Sequence, residues 1–72
     1  MNAREVMTKI RKAGFKMNVY AHSYFNAFPN AELEYGEDGV RTQILYFFSN
    51  AKAMNAEQKA VKEELMKYAQ KR

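Results

Sequence analysis

Gly36-Glu37-Asp38-Gly39 lies between two stretches of alternating side chains, and this arrangement constrains the fold more than any other feature. Glycine and aspartate accept the positive φ of a tight turn, so the segment predicts a hairpin joining two antiparallel strands. After it, residues 40–48 are rich in β-branched and aromatic side chains. They place Val40, Thr42, Ile44, Tyr46 and Phe48 on one face and Arg41, Gln43, Leu45 and Phe47 on the other. Before it, residues 31–36 set Leu33 and Tyr35 against Glu32 and Glu34. Residues 15–22 alternate as well, with Phe15, Met17, Val19 and Ala21 opposite Lys16, Asn18, Tyr20 and His22. Two helical alternatives stand behind these strands. Met17, Tyr20, Tyr24 and Phe28 fit a helix face that Asn18 would cap and Pro29 would end. Val40, Ile44, Phe47 and Ala51 also keep helical spacing.

Helices are expected on either side. Ala3, Val6, Met7, Ile10 and Ala13 recur at helical spacing, with Arg4, Thr8, Arg11 and Lys12 opposite them. Asn2 and Glu5 form a capping box, Glu5 and Lys9 an i,i+4 pair, and Gly14 a left-handed stop. Asn55 with Gln58 repeats the box before a second helix. Its apolar stripe is Val61, Leu65 and Tyr68, with Met54 at its edge, and Lys67, Lys71 and Arg72 lie near its end. The connections between strands are too short for parallel crossovers. The expected fold is therefore α+β: one domain over residues 1–72, ordered helix, three-stranded antiparallel sheet, helix (αβββα), with both helices on one sheet face. The open face would carry Tyr20, His22, Glu32, Glu34, Arg41, Gln43, Leu45 and Phe47.

A 72-residue chain without cysteine has no disulfide to support its small core, which leaves oligomerisation as the available reinforcement. One histidine and scattered carboxylates make a structural metal site improbable, and Glu37 and Asp38 lack the alternating ligands of a calcium loop. No apolar run spans a bilayer and no secretory h-region opens the chain, which points to the cytoplasm. The net charge of +4 is unevenly spread. Basic residues dominate 1–16 and 51–72, whereas 17–50 carry Glu32, Glu34, Glu37 and Asp38 against Arg41.

Phosphate loops, nucleophile elbows and zinc-protease motifs are absent from the sequence. His22 is the one imidazole base, next to Ser23 and with Glu32 or Glu34 as the carboxylates that would orient it. Without further companions it predicts no enzyme. The expected element order is similar to that of double-stranded-RNA-binding domains, which use a basic second-helix start and a Gly-Pro-x-His loop. Here that start, Asn55-Ala56-Glu57-Gln58-Lys59, is mixed in charge and Gly-Pro is missing. The opening from Arg4 to Phe15, followed by His22, loosely looks like that of small HicA-type toxins of the same order, without their Gly-Ser-His signature. Neither identification is adopted.

The reading that remains is a small non-enzymatic protein-binding module, in size and style like the inhibitors or accessory proteins of phages and mobile elements. Ten aromatic residues exceed what so small a core is expected to bury. The expected contact residues are Tyr20, His22, Tyr24, Phe25, Phe28, Arg41, Gln43 and Phe47, and the partner is another protein or a second copy of the chain. The alternative is nucleic-acid binding through Arg4, Lys9, Arg11, Lys12 and Lys16, with Tyr20 and Phe47 stacking on bases. No cofactor, metal or membrane is expected in either case.

Overall fold

The structure is a computed structural model that describes residues 1–70. It has four helices in chain order: α1 (Ala3–Ala13), α2 (Val19–Asn26), α3 (Phe28–Phe48) and α4 (Ala56–Gln70). No strand occurs among the described residues, so the α+β expectation, its three-stranded sheet and its open sheet face are all overturned. The fold order that likened the chain to double-stranded-RNA-binding domains and to HicA-type toxins falls with the sheet. Among the described residues, no helix is long and apolar enough to cross a membrane.

The two end helices form where their sequences place them, but the box at Asn55 is only half made: Asn55 Oδ1 accepts from Gln58 N at 2.8 Å, while Gln58 Oε1 accepts from Met54 N instead of Asn55 N. Asn2 Oδ1 accepts from Glu5 N at 2.8 Å, Glu5 Oε1 accepts from Asn2 N at 3.4 Å, and Gly14 closes α1 in the left-handed region at φ 73°. Ala3, Val6, Ile10 and Ala13 are its buried stripe. Lys9 departs from its expected pairing with Glu5: it reaches Glu64 of α4 at 3.1 Å, while Glu5 serves the capping box. On α4, Leu65 and Ala69 are buried, Val61 and Tyr68 are half-buried, and Met54 is exposed, outside the stripe. Lys67 sits in the last turn of α4, whereas Lys71 and Arg72 lie outside the described residues.

The predicted strands became helices for identifiable reasons. At 15–22, the side chain of Asn18 accepts from Ala21 N at 2.8 Å and starts α2, the cap of the helical alternative. The buried positions are Ala21, Phe25 and Phe28 at i, i+4 and i+7, and Tyr20 falls on the outer side. Pro29 opens a helix where it was expected to end one. It occupies the first turn of α3, where its missing N–H costs nothing. At 40–48 the helical alternative is the observed one: Val40, Ile44, Phe47 and Ala51 are all buried.

Gly36-Glu37-Asp38-Gly39 is not a hairpin turn but an interruption inside α3. Gly36 has φ 65° and ψ −142°, which breaks the helix into segments 28–35 and 37–48. Gly39 serves another purpose. A Cβ there would overlap the Ala31 carbonyl oxygen and come within 2.8 Å of the Ala31 carbonyl carbon and 2.9 Å of Tyr35 Cβ. The two segments of α3 therefore cross in contact, and hydrogen at Gly39 is what permits it.

α3 packs against each of the other three helices. Its Phe47 meets Phe15, Phe25, Phe28 and Phe48 with ring centroids 5.0–6.4 Å apart, so the chain's five phenylalanines form one cluster. Two polar links close the bundle. Gln58 Nε2 donates to Ala13 O and Gly14 O, each at 3.1 Å, tying the start of α4 to the end of α1. Ala3 N, one of the unmatched amides at the start of α1, donates to Glu32 Oε2 of α3 at 3.1 Å.

Gly39→Ala tests the crossing by sign. Helix propensity alone makes this change stabilising by about 1 kcal/mol. The backbone contact makes it destabilising by about 1–3 kcal/mol, the usual cost of overpacking. Urea unfolding followed by circular dichroism measures which holds, and a gain in stability would show that the two segments do not touch at Gly39.

A candidate docking face on α2 and α3

Each expected contact residue has a definite place. Phe25, Phe28 and Phe47 are buried in the phenylalanine cluster, so they are core and cannot meet a partner. Arg41 is held within the protein. Its guanidinium reaches Glu37 at 3.1 Å and Asp38 at 3.3 Å and lies 4.8 Å from the Tyr68 ring centroid. Its Nε is buried with no acceptor among the described residues. His22 is exposed, and the hydrogen bond that its ring makes is to the Asn26 side chain at 3.1 Å; Glu32, its expected orienting partner, is engaged by Ala3 N. Among the described residues no group of histidine and carboxylate side chains gathers as a metal site.

Tyr20, Tyr24 and Gln43 remain, and they belong to a face that sequence reasoning only partly found. Tyr20 and Tyr24 are one turn apart on the outside of α2. The Tyr24 ring lies against Tyr46 of α3, centroids 5.7 Å apart and planes tilted by 32°. Asp38, Thr42 and Tyr46 follow one another at i, i+4 and i+8 along α3. Tyr35, from the segment before Gly36, stands across a hollow of about 400 Å³ whose bottom is Gly39 and Gln43. Four of the five tyrosines thus mark one side of the molecule, with Tyr20 69%, Tyr35 70% and Tyr46 51% exposed. Leu33, 83% exposed, is carried on the same segment as Tyr35.

The sorting of aromatics follows from one oxygen. A buried phenol must find a hydrogen-bond partner and a phenyl ring need not. All five phenylalanines are therefore inside and the tyrosines sit at or near the surface. The missed residues are Tyr35, Asp38, Thr42 and Tyr46. Tyr46 and Thr42 had been assigned to the covered face of a strand, Asp38 to a turn. The available signal was the hydroxyl of Tyr46 together with the i, i+4, i+8 spacing.

The basic residues of the alternative lie on α1 and just after it. Arg4, Arg11, Lys12 and Lys16 are exposed and have no carboxylate partner among the described residues, whereas Lys9 is bound to Glu64. Arg11 also leans over the Phe25 ring, 5.8 Å from its centroid.

The fifth tyrosine, Tyr68, is set apart. Its hydroxyl donates to Met1 O at 3.0 Å and adjoins the Glu37 carboxylate. Burial first, and then Glu37, push its pKa from 10.0 up to about 12. Glu37 shifts the other way, held below the usual carboxylate range by the Tyr68 hydroxyl first, then by the terminal ammonium and Arg41. A tyrosine whose folded pKa is raised keeps its proton longer than the unfolded chain does. Tyr68 accordingly takes stability away as the pH rises from 10.0 to about 12 and leaves it unchanged below that window. In a spectrophotometric titration one phenol should ionise near pH 12, and Tyr68→Phe should abolish that late step; its persistence in the variant would assign it elsewhere. No family model, no curated protein and no solved structure matches the chain.

Proposed function

We infer that the protein is a small non-enzymatic docking module of the cytoplasm, acting on another protein as an inhibitor or accessory subunit. Its contact surface is the tyrosine face of α2 and α3. The observation that carries this reading is the set of Tyr20, Tyr35 and Tyr46, exposed beside half-buried Tyr24, while every phenylalanine is buried. Tyrosine supplies wide, rigid contact area with few torsions to freeze and is enriched where interfaces bind most tightly. Exposed aromatic rings grouped in this way mark an interaction surface, which supports a role outside the bundle.

A second reading rests on α1. Arg4, Arg11, Lys12 and Lys16 are exposed without carboxylate partners among the described residues and would contact phosphates of a nucleic acid. Four such contacts set its signature, a slope of log affinity against log salt near −3.6 for duplex DNA, from about −0.9 per phosphate.

The two readings separate in one experiment. The tagged protein is used to recover partners from its native host, with and without nuclease, alongside Tyr20→Ala/Tyr35→Ala and Arg4→Ala/Arg11→Ala. Both pairs are exposed, so the helical circular dichroism should be retained. Docking through the tyrosines predicts one stoichiometric protein, insensitive to nuclease, reduced at least about tenfold by the tyrosine pair, since truncating such anchors typically removes 2 kcal/mol or more. Recovery that the tyrosine pair leaves intact would refute this reading; nuclease-sensitive recovery lost with the arginine pair would establish the other.

A further inference from the structure

The hollow between Tyr35 and Tyr46 is lined by several oxygen acceptors, of which, among the described residues, Asp38 alone is paired with a cation, Arg41. Gln43 lies at its bottom, only 8% exposed. Its Nε2 donates to Tyr24 O at 3.0 Å, while its Oε1 has no donor among the described residues. That oxygen is not enclosed, so it stays open to an occupant of the hollow. The Thr42 hydroxyl beside it has no partner among the described residues either. Asp38 receives Arg41 Nη1 on Oδ1 at 3.3 Å and leaves Oδ2 open. Tyr35 and Tyr46 wall the hollow, and Tyr46 is steadied by Tyr24. Glu34, on the same segment as Tyr35, adds a carboxylate that no cation pairs among the described residues.

We propose that this hollow receives an arginine side chain from a partner protein. A guanidinium meets each feature at once. Its flat face stacks on tyrosine, and its edge carries five donors in a fixed fork, able to reach the free oxygen of Asp38 and the amide oxygen of Gln43. A lysine ammonium would satisfy the charge but has no face to lay against the rings. At about 400 Å³ the hollow lies toward the small end of ligand sites and suits one side chain rather than a cofactor. The acceptors select a donor-rich occupant, and the Asp38 carboxylate, matched on one oxygen by Arg41, favours a positive one on the other. A second copy offering Arg4 or Arg11 is disfavoured. That contact would join two different faces, and such head-to-tail pairing grows on unless the rotation happens to close. The inference rests on the docking reading above and names the chemistry of its anchor.

Nuclear magnetic resonance on the whole isotope-labelled protein tests it without a known partner. The probes are N-acetyl-arginine methylamide and its uncharged isostere, N-acetyl-citrulline methylamide. The arginine probe should give saturable shifts at the backbone amides of Gly39 and Thr42 and at the Gln43 side-chain amide. Citrulline should bind about tenfold more weakly, reflecting the loss of one charge-assisted contact. Asp38→Asn should remove that difference, and Tyr35→Ala should weaken both probes; both residues are exposed, so the fold is expected to survive. Equal binding of the two probes, shifts at other residues, or no saturation would overturn the proposal. So would self-association in sedimentation that Arg4→Ala/Arg11→Ala abolishes, since the occupant would then be a second copy. A protein captured through the tyrosines whose binding ignores Asp38→Asn would overturn the arginine anchor and leave docking standing. Arginine binding with no tyrosine-dependent partner would do the reverse.

Discussion

Phe47 is the residue on which the bundle depends. Its ring touches Phe15 before α2, Phe25 of α2, Phe28 at the start of α3 and Phe48 beside it. One side chain thus joins the exit of α1, the whole of α2 and both ends of α3. A buried phenylalanine is worth about 3–5 kcal/mol against alanine, about as much as a core of this size supplies in total. The other elements take their positions from it. α2 is only eight residues long, too short to hold its own helix in water, and it persists because Ala21, Phe25 and the following Phe28 are pressed into that cluster.

The tyrosine face is a product of the same packing. Once Ala21 and Phe25 face inward, the helical period leaves Tyr20 and Tyr24 outside. Once Val40, Ile44 and Phe47 face inward, Asp38, Thr42 and Tyr46 are left in a row. The break at Gly36 turns the preceding segment back so that Tyr35 stands opposite that row, and the bare Gly39 lets the two segments approach closely enough to leave a shaped hollow rather than a flat surface. Electrostatics divides less sharply: Arg4, Arg11, Lys12 and Lys16 lie exposed on and just after α1, and Asp38 lines the hollow beside Tyr35 and Tyr46.

Capping was the most legible part of the fold. Asn2, Glu5, Gly14, Asn55 and Gln58 each act near the helix end where their chemistry places them, because a cap is decided by two or three neighbouring residues. The middle of the chain was misread for the opposite reason. In 15–22 and 40–48 apolar residues occur so densely that both a two-residue and a helical period fit, and β-branched and aromatic content tilts the choice toward strand. What decided for helix was distant: a phenylalanine cluster assembled from residues as far apart as Phe15 and Phe48. The GEDG segment shows how a local signal can be right about conformation and wrong about topology. Gly36 does take a positive φ, yet between two helical segments rather than two strands. Of the candidate contacts, Tyr20 and Tyr24 lie on the outer side of α2 and Gln43 on the hollow's floor. Phe25, Phe28 and Phe47 were drawn inward by the cluster that could not be seen in the sequence.

Gln58 joins two helix ends in a way that reaches beyond its own hydrogen bonds. Its backbone N is held by Asn55, its Oε1 by Met54 N, and its Nε2 by the last carbonyls of α1. Helix termini ordinarily fray independently, each losing only its own turn. Here the first turn of α4 cannot open without stripping two carbonyls at the close of α1 of their shared donor. Fraying at these two ends is thereby made a single cooperative event, and amide protons there would exchange with solvent at a common rate, as one unit rather than as two loose tips.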